Sequence, residues 1–341
     1  MRAARRMRGL LRRGERRPYP VRVRGPYPVR ARGGLLALAL ALTATGCVTV
    51  HGETALVPTA TRGEAATALK RFRSAYNEAA RDLDPAKDAA VLAGPFGAIT
   101  QDTLRSRKAE NPAGGAGASP LEVSDVRYLI PRRRGWPRWF VADTDTNRDV
   151  DDDPARDTRW LFLFTRSGPK ADWRATYLAI LAPGRIPKFR TDGDGYVVPA
   201  TPGALSRAYA TYLQDGKGER FAPGQHTTGW REQRAKNAER PGWTIQWADE
   251  PADSGAFRPY ALRTADGGSL AFFASRHYER RTGAQNVAVT PPLAAKPLLK
   301  GRVDRSYTLE YTSNETVTVP KSGGPVVFLN RLQGLTGAEG S

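Results

Sequence analysis

Along the chain the spacing of apolar residues changes repeatedly, and each change predicts a different kind of element. Leu69, Phe72, Tyr76, Ala79 and Leu83 recur at intervals of three and four, which places them on one stripe of an α-helix. Thr61-Arg-Gly-Glu64 stands just before that stripe. It is a capping box, in which the threonine and glutamate side chains each satisfy an orphan backbone N–H. The helix is expected to run to about residue 82, since Pro85 cannot continue it. A second helical stretch is expected over 86–108, interrupted near Gly94-Pro95, and the Gly/Pro/Ala run at 111–120 is a loop by composition.

The period then shortens to two. Segments 126–130, 139–141, 160–165 and 173–181 are short and rich in aromatic and β-branched residues, with turn residues between them, and so predict an antiparallel meander. In the last segment Trp173, Ala175, Tyr177, Ala179 and Leu181 alternate with Arg174 and Thr176 among the opposite positions, one face against the other. Helices followed by a meander make residues 61–185 an α+β domain. The order then recurs. Thr201-Pro202 predicts a helix start, and a further helix is expected at 228–239. Strands are expected at 243–248, 259–264, 269–278, 306–312, 316–319 and 325–330, with Asp266-Gly267-Gly268 as a hairpin turn. Ala204-Leu205-Ser-Arg207 and Tyr212 repeat the spacing of Ala68-Leu69-Lys-Arg71 and Tyr76. The fold class expected is therefore α+β, with helices packed on curved antiparallel sheets in two similar domains, 61–185 and 200–335. A long helix on a curved meander, twice over, resembles the cystatin-like cone fold of the nuclear transport factor 2 superfamily. The residues carrying that resemblance (Thr61, Glu64, Leu69, Tyr76, Leu205, Tyr212) are structural, so it implies a fold and no active site.

Residues 1–46 follow other rules. An Arg-rich stretch leads into Leu35-Leu-Ala-Leu-Ala-Leu-Ala-Leu42 and then Thr43-Ala-Thr-Gly-Cys47. A basic n-region, a short apolar run and small residues before a cut site are the parts of a secretory signal, and the run is far shorter than the roughly 20 residues of a bilayer-spanning helix. Cys47 is the sole cysteine of the 341-residue chain, which excludes an intrachain disulfide. Ala44-Thr45-Gly46-Cys47 resembles the lipobox of bacterial lipoproteins, with Ala44 where the commonest form has leucine. The resemblance implies cleavage before Cys47, a diacylglyceryl chain on its thiol, and a tether over 47–60 at the extracytoplasmic face of the cell membrane. Together, lipobox and architecture are similar to the uncharacterised lipoproteins of actinobacteria.

Removing that segment changes the reading of the charge. The formal +19 includes 12 Arg against Glu15 in residues 1–46, leaving 41 basic and 33 acidic residues, a net +8, for the remainder. A mild positive bias suits attraction to anionic envelope polymers or headgroups. Clustered arginines interleaved with aromatics are not evident, and nucleic acid is not expected as a partner.

Candidate chemistry is sparse. Asp143, Asp145, Asn147, Asp149 and Asp151 place oxygen groups at alternate positions, the arrangement by which a looped chain holds Ca²⁺. Arg148 occupies the sharp-turn glycine position of that pattern and Pro154 that of the closing glutamate, so a solvated acidic hairpin competes with a metal loop. Histidine occurs at 51, 226 and 277; His277 extends an alternating run and reads as a hydrogen-bonded strand residue. Ser167-Gly-Pro-Lys170 matches the Ser-x-x-Lys spacing of penicillin-interacting enzymes, but a Gly-Pro hairpin cannot put Lys one helical turn from Ser. Asn314-Glu-Thr316 reads as a turn, and the tryptophans as core or as the lining of a ligand hollow. The function expected is a membrane-anchored, non-catalytic binding or scaffolding module, its partner an envelope polymer, another envelope protein or a small ligand. The alternatives are a cell-envelope hydrolase joining acids of 143–153 to His277, or a weak Ca²⁺ binder.

Overall fold

The computed structural model describes residues 55–112, 119–150, 153, 156–217 and 219–341; Cys47, His51 and Asp151 lie outside them. The first helix, α1 (Arg62–Asp82), begins as its sequence requires. The Glu64 N–H donates to Thr61 Oγ1 at 3.1 Å and the Thr61 N–H to Glu64 Oε2 at 2.7 Å. It ends at Leu83 in a left-handed conformation, φ 47°. Its stripe buries Ala65, Ala68, Leu69 and Phe72. The second helix, α2, runs from Gly94 to Glu110, and the chain from 84 to 93 is non-helical. Gly94-Pro95 is thus a start and not an interruption. Proline in the first turn lacks an N–H that would have had no helical partner there. Gly94 has φ +56°, and a Cβ on it would lie 2.5 Å from the Ala256 carbonyl oxygen.

Strands β2 (Val123–Leu129), β4 (Arg138–Thr146), β5 (Arg159–Arg166) and β6 (Arg174–Leu181) form an antiparallel sheet in the order β2-β4-β5-β6. Two short strands, β1 (Val57–Pro58) and β3 (Arg132–Arg133), pair beside it. The alternation expected along β6 holds for Tyr177, Ala179 and Leu181, which share one face. It breaks at a register shift between Leu163 and Phe164 of β5, so that Ala175 packs on the opposite side. A bulge reverses the facing of every residue beyond it.

The second half opens with β7 (Pro199–Ala200), after which Gly203 (φ +65°) turns the chain and α3 begins at Leu205, running to Asp215. Thr201 does not cap it. Helix α4 (Thr228–Asn237) leads into β8 (Glu239–Arg240), β9 (Trp243–Ala252), β10 (Tyr260–Arg263), β11 (Ser269–Gly283), β12 (Leu299–Lys300), β13 (Ser306–Val319) and β14 (Val327–Gly340). Gly267, at φ 90°, supports the expected hairpin between β10 and β11, where the Thr264 N–H donates to the Gly268 carbonyl at 3.0 Å. The sheet order is β12-β14-β13-β11-β10-β7, and β9 continues end to end with β10 along the same edge of β11. Asn314-Glu-Thr316 is no turn. It lies mid-strand in β13, with Asn314 opposite Ala274 on one side and Leu332 on the other.

Packing gives four layers. Helices α1 and α2 bury Phe72 and Phe96 against Phe140, Phe162 and Phe164 on one face of the four-stranded sheet. Its other face, with Val141, Leu161, Leu163 and Tyr177, meets Tyr260, Leu262, Leu270 and Phe272 of the second sheet. The outer face of that sheet packs Ala271, Phe273 and Val317 on Leu205, Tyr209 and Leu213 of α3. This is an α+β architecture in which helices cover the outer face of each sheet at its centre, while one face of β9 (Thr244, Gln246, Ala248 and Glu250) is exposed. The halves expected at 61–185 and 200–335 also share a sheet-on-sheet core, and the described residues form one unit.

Candidate functional site

The described members of the acidic run, Asp143, Asp145, Asn147 and Asp149, do not converge on one point. Asp143 and Asp145 belong to β4, inside the sheet and not in a loop. Asp143 is buried and accepts from Arg159 Nε at 2.6 Å, while Arg159 Nη1 donates to Asp125 at 2.9 Å. Asp145 accepts from Ser124 Oγ at 3.0 Å and from the Thr146 N–H at 2.7 Å. Asn147 bridges Glu122 and Pro120 backbone groups, each at 3.0 Å, and Asp149 Oδ2 accepts from the Thr158 N–H and hydroxyl at 2.8 and 2.7 Å. Each group serves a separate protein donor. Among the described residues no three His, Cys, Asp or Glu side chains are placed to hold one metal ion. Ser167 and Lys170 sit in the β5–β6 hairpin outside any helix. His226 is half-buried, and burial lowers its affinity for a proton.

His277 has acidic partners, but they come from elsewhere in the chain. It lies on β11 between β9 and β13, and its Nδ1 stands 2.5 Å from Asp249 Oδ1 of β9. Arg234 of α4 donates to both Asp249 oxygens, at 2.7 and 2.8 Å. Burial pushes the Asp249 carboxyl up, but the hydrogen bonds from His277 and Arg234 outweigh it and hold the group below its usual range. On the other side His277 Nε2 is 3.1 Å from Ser275 Oγ, which donates to Glu315 Oε1 at 2.6 Å. Arg331 of β14 lies 3.9 Å from that carboxylate and stacks 3.8 Å over the Trp230 ring. Burial pulls its guanidinium below the ordinary value. Two arginines thus balance two carboxylates within the protein.

Serine, histidine and aspartate in line suggest a nucleophile and its base, but the wiring is wrong for that. A serine nucleophile must deliver its proton to the imidazole. Here the hydroxyl proton goes to Glu315, and Ser275 is fully buried on a strand paired along both edges. His277 does border a small cavity of about 180 Å³ beneath Trp230 and Trp247. No local pattern points to Asp249, Arg234 or Arg331. The one available signal was Asn314-Glu315, polar residues interrupting an otherwise strand-like run.

A larger cavity, about 260 Å³, lies where α1 and α2 meet the edge of β6 and strands β13 and β14. Tyr76, Phe96, Leu178, Ile180 and Leu332 supply its apolar walls. Asp88 enters it from the turns linking α1 to α2. That segment is fixed by Leu92 bridging Ala175 at the start of β6, with the Ala93 N–H donating to the Ala175 carbonyl at 2.9 Å. Gln101 donates to Asp88 Oδ1, while Oδ2 is buried without a partner. Burial pushes the Asp88 carboxyl up to about 6, with Asp84 adding to the rise and Gln101 opposing it. From β13, Asn314 Nδ2 donates to the Leu178 carbonyl on the free edge of β6, and Asn314 Oδ1 is likewise buried and unpartnered. Sequence reasoning gave Asp88 no weight, and no local pattern marks it.

Comparison with known proteins places the chain. Residues 56–340 match the model of a domain of unknown function, DUF8094. An uncharacterized lipoprotein of Streptomyces coelicolor, SCO2278, is 46% identical over 314 residues, covering 89% of this chain and 93% of the relative. An uncharacterized lipoprotein of Streptomyces avermitilis is 42% identical over 318 residues, with the same shares covered. A second S. coelicolor lipoprotein, SCO6871, is 24% identical over 340 residues. With its helices, its sheets and nearly all of its described length inside that match, the chain belongs to the DUF8094 family of lipoproteins.

Proposed function

We propose that the protein is anchored through a diacylated Cys47 to the extracytoplasmic face of the cell membrane, where it binds a small ligand without transforming it. The anchor rests on the lipobox at 44–47 and on the lipoprotein names of the relatives. Two acyl chains hold a protein at a bilayer where one would not.

One contrast carries the binding reading. Ser275, His277 and Asp249 are buried and each is engaged by a protein partner, and most of the orphaned atoms around them are N–H groups, whereas the cavity beside Asp88 presents two buried acceptors, Asp88 Oδ2 and Asn314 Oδ1, that no protein donor serves. A native fold rarely leaves buried polar atoms unpaired, and such atoms clustered at a cavity suit an incoming partner. The reading also takes the two helix-and-sheet halves as diverged cone-type modules, which their shared order of helices followed by antiparallel strands supports.

Turnover measurements on the full chain separate this from the hydrolase alternative. With p-nitrophenyl acetate and with purified cell-wall fragments, the wild type should match His277→Gln and Ser275→Ala at the uncatalysed rate. A rate at least tenfold above background that either substitution abolishes would establish an enzyme.

A further inference from the structure

The cavity between α2 and the β6 edge has a chemical bias of its own. Its buried polar atoms are acceptors. Asp88 Oδ2 is a carboxylate oxygen, and Asn314 Oδ1 is an amide oxygen whose own NH₂ is engaged by Leu178. Both residues are fully buried. Among the lining's own donors, Tyr76 and Thr100 bring neutral, half-buried hydroxyls, while Thr103, Arg107 and Gln333 are exposed at the rim; Gln101 reaches Asp88 Oδ1 from outside the lining. The interior therefore offers a carboxylate and an amide lone pair to an incoming donor, while its own donors are neutral hydroxyls and its one lining cation, Arg107, stays at the exposed rim. Around them stand Tyr76 and Phe96, stacked at 6.4 Å with 30° between ring planes, together with Leu178 and Leu332. Such ring faces attract cations as well as apolar groups. Size is also informative, because a cavity of about 150 Å³ suffices for benzene, and this one measures about 260 Å³.

We propose that this cavity binds a small organic cation, a primary ammonium on a body of about one ring, with Asp88 and Asn314 accepting the ammonium hydrogens. The proposal rests on the binding reading above and specifies its ligand class. A bound ammonium would supply the counter-charge that the buried Asp88 lacks and draw its raised proton affinity back down. The charged and titratable groups around it are Asp84, Tyr76 and Arg107. Asp88 changes charge at about pH 6, so occupancy should weaken as pH falls through that value.

The test uses the full chain at pH 7.5 and three probes with a common phenylethyl body: 2-phenylethylamine, 2-phenylethanol and 3-phenylpropionate. Binding is read by calorimetry and by the rise in melting temperature. The amine should bind saturably and at least tenfold more tightly than the alcohol, with no response to the propionate. Asp88→Asn should cost the amine at least tenfold and leave the alcohol unchanged. Leu332→Trp, which fills the cavity, should abolish both, with circular dichroism confirming that each variant is folded. Equal binding of amine and alcohol, preference for the propionate, or indifference to Asp88→Asn would overturn the cation assignment while leaving a binding cavity. If none of the three probes binds, the acceptors are served by water alone, and the proposal falls together with the binding reading.

Discussion

Replacing Asp249 by alanine tests the buried charge cluster most severely. The carboxylate is 1% exposed and accepts three contacts at 2.5, 2.7 and 2.8 Å, from His277 and from both terminal nitrogens of Arg234. Alanine removes all three and leaves a guanidinium, itself about nine-tenths buried, with no carboxylate. Orphaning one partner of a buried ion pair costs about 3–5 kcal/mol. The residual contacts of Arg234 are weak: 3.5 Å to His277 and 5.1 Å to the Trp230 ring. Equilibrium urea unfolding followed by tryptophan fluorescence should therefore show a loss of about 3–5 kcal/mol at pH 7. The double variant Arg234→Met/Asp249→Leu should lose clearly less, because apolar replacement leaves no charge unpaired. The effect should also depend on pH. The folded carboxyl is held below its usual range, so its contribution is present above about pH 4 and disappears as pH falls through the lowered value. The wild-type and Asp249→Ala stabilities should then converge. A loss under about 1 kcal/mol, or a double variant as unstable as the single one, would refute the reasoning.

Three further outcomes are expected. Phe72→Ala should cost about 3–5 kcal/mol by the same assay, since its ring is fully buried and sits 5.1 Å from Phe162 and 5.8 Å from Phe164. Thr61→Ala should remove the capping box of α1 and cost about 1 kcal/mol, with Thr61→Ser restoring most of it. Asp88→Asn should reverse the usual sign for a carboxylate. Because the folded group titrates at about 6, wild-type stability should decline from about pH 4 to pH 6 and then level, whereas the variant stays flat. At pH 7 the variant should be more stable, by something on the order of 2 kcal/mol, in urea unfolding.

The elements most legible in the sequence were those fixed by neighbours a few residues away. The Thr61/Glu64 box and the Thr264–Gly268 turn are closed by bonds spanning three and four residues. Hence the spacing alone announced α1 and the β10–β11 hairpin. Asn314-Glu315 went the other way. Their polarity reads as a turn, yet Glu315 is matched by Ser275 forty residues away and Asn314 by the Leu178 carbonyl at a separation of 136. Only the folded chain brings those partners together, and the strand runs straight through. Asp143 was misjudged as a loop residue for the same reason, since Arg159 makes it tolerable inside a sheet. The shared sheet-on-sheet core was hidden because alternation marks one buried face and cannot say that the other is buried too. His277 was visible as a strand residue, whereas its true acids, Asp249 and Glu315, were not. Asp88 is positioned by a turn segment stitched to β6, a purely tertiary arrangement.

The anchor at Cys47 remains the claim on which cellular role depends, and intact-mass analysis of the membrane fraction tests it most directly. Cells expressing the native chain should yield a membrane-bound species beginning at Cys47 and carrying a diacylglyceryl adduct. Cys47→Ala should lose both the adduct and the membrane association. An unmodified native chain recovered in the soluble fraction, or a mutant that stays with the membrane, would contradict the account.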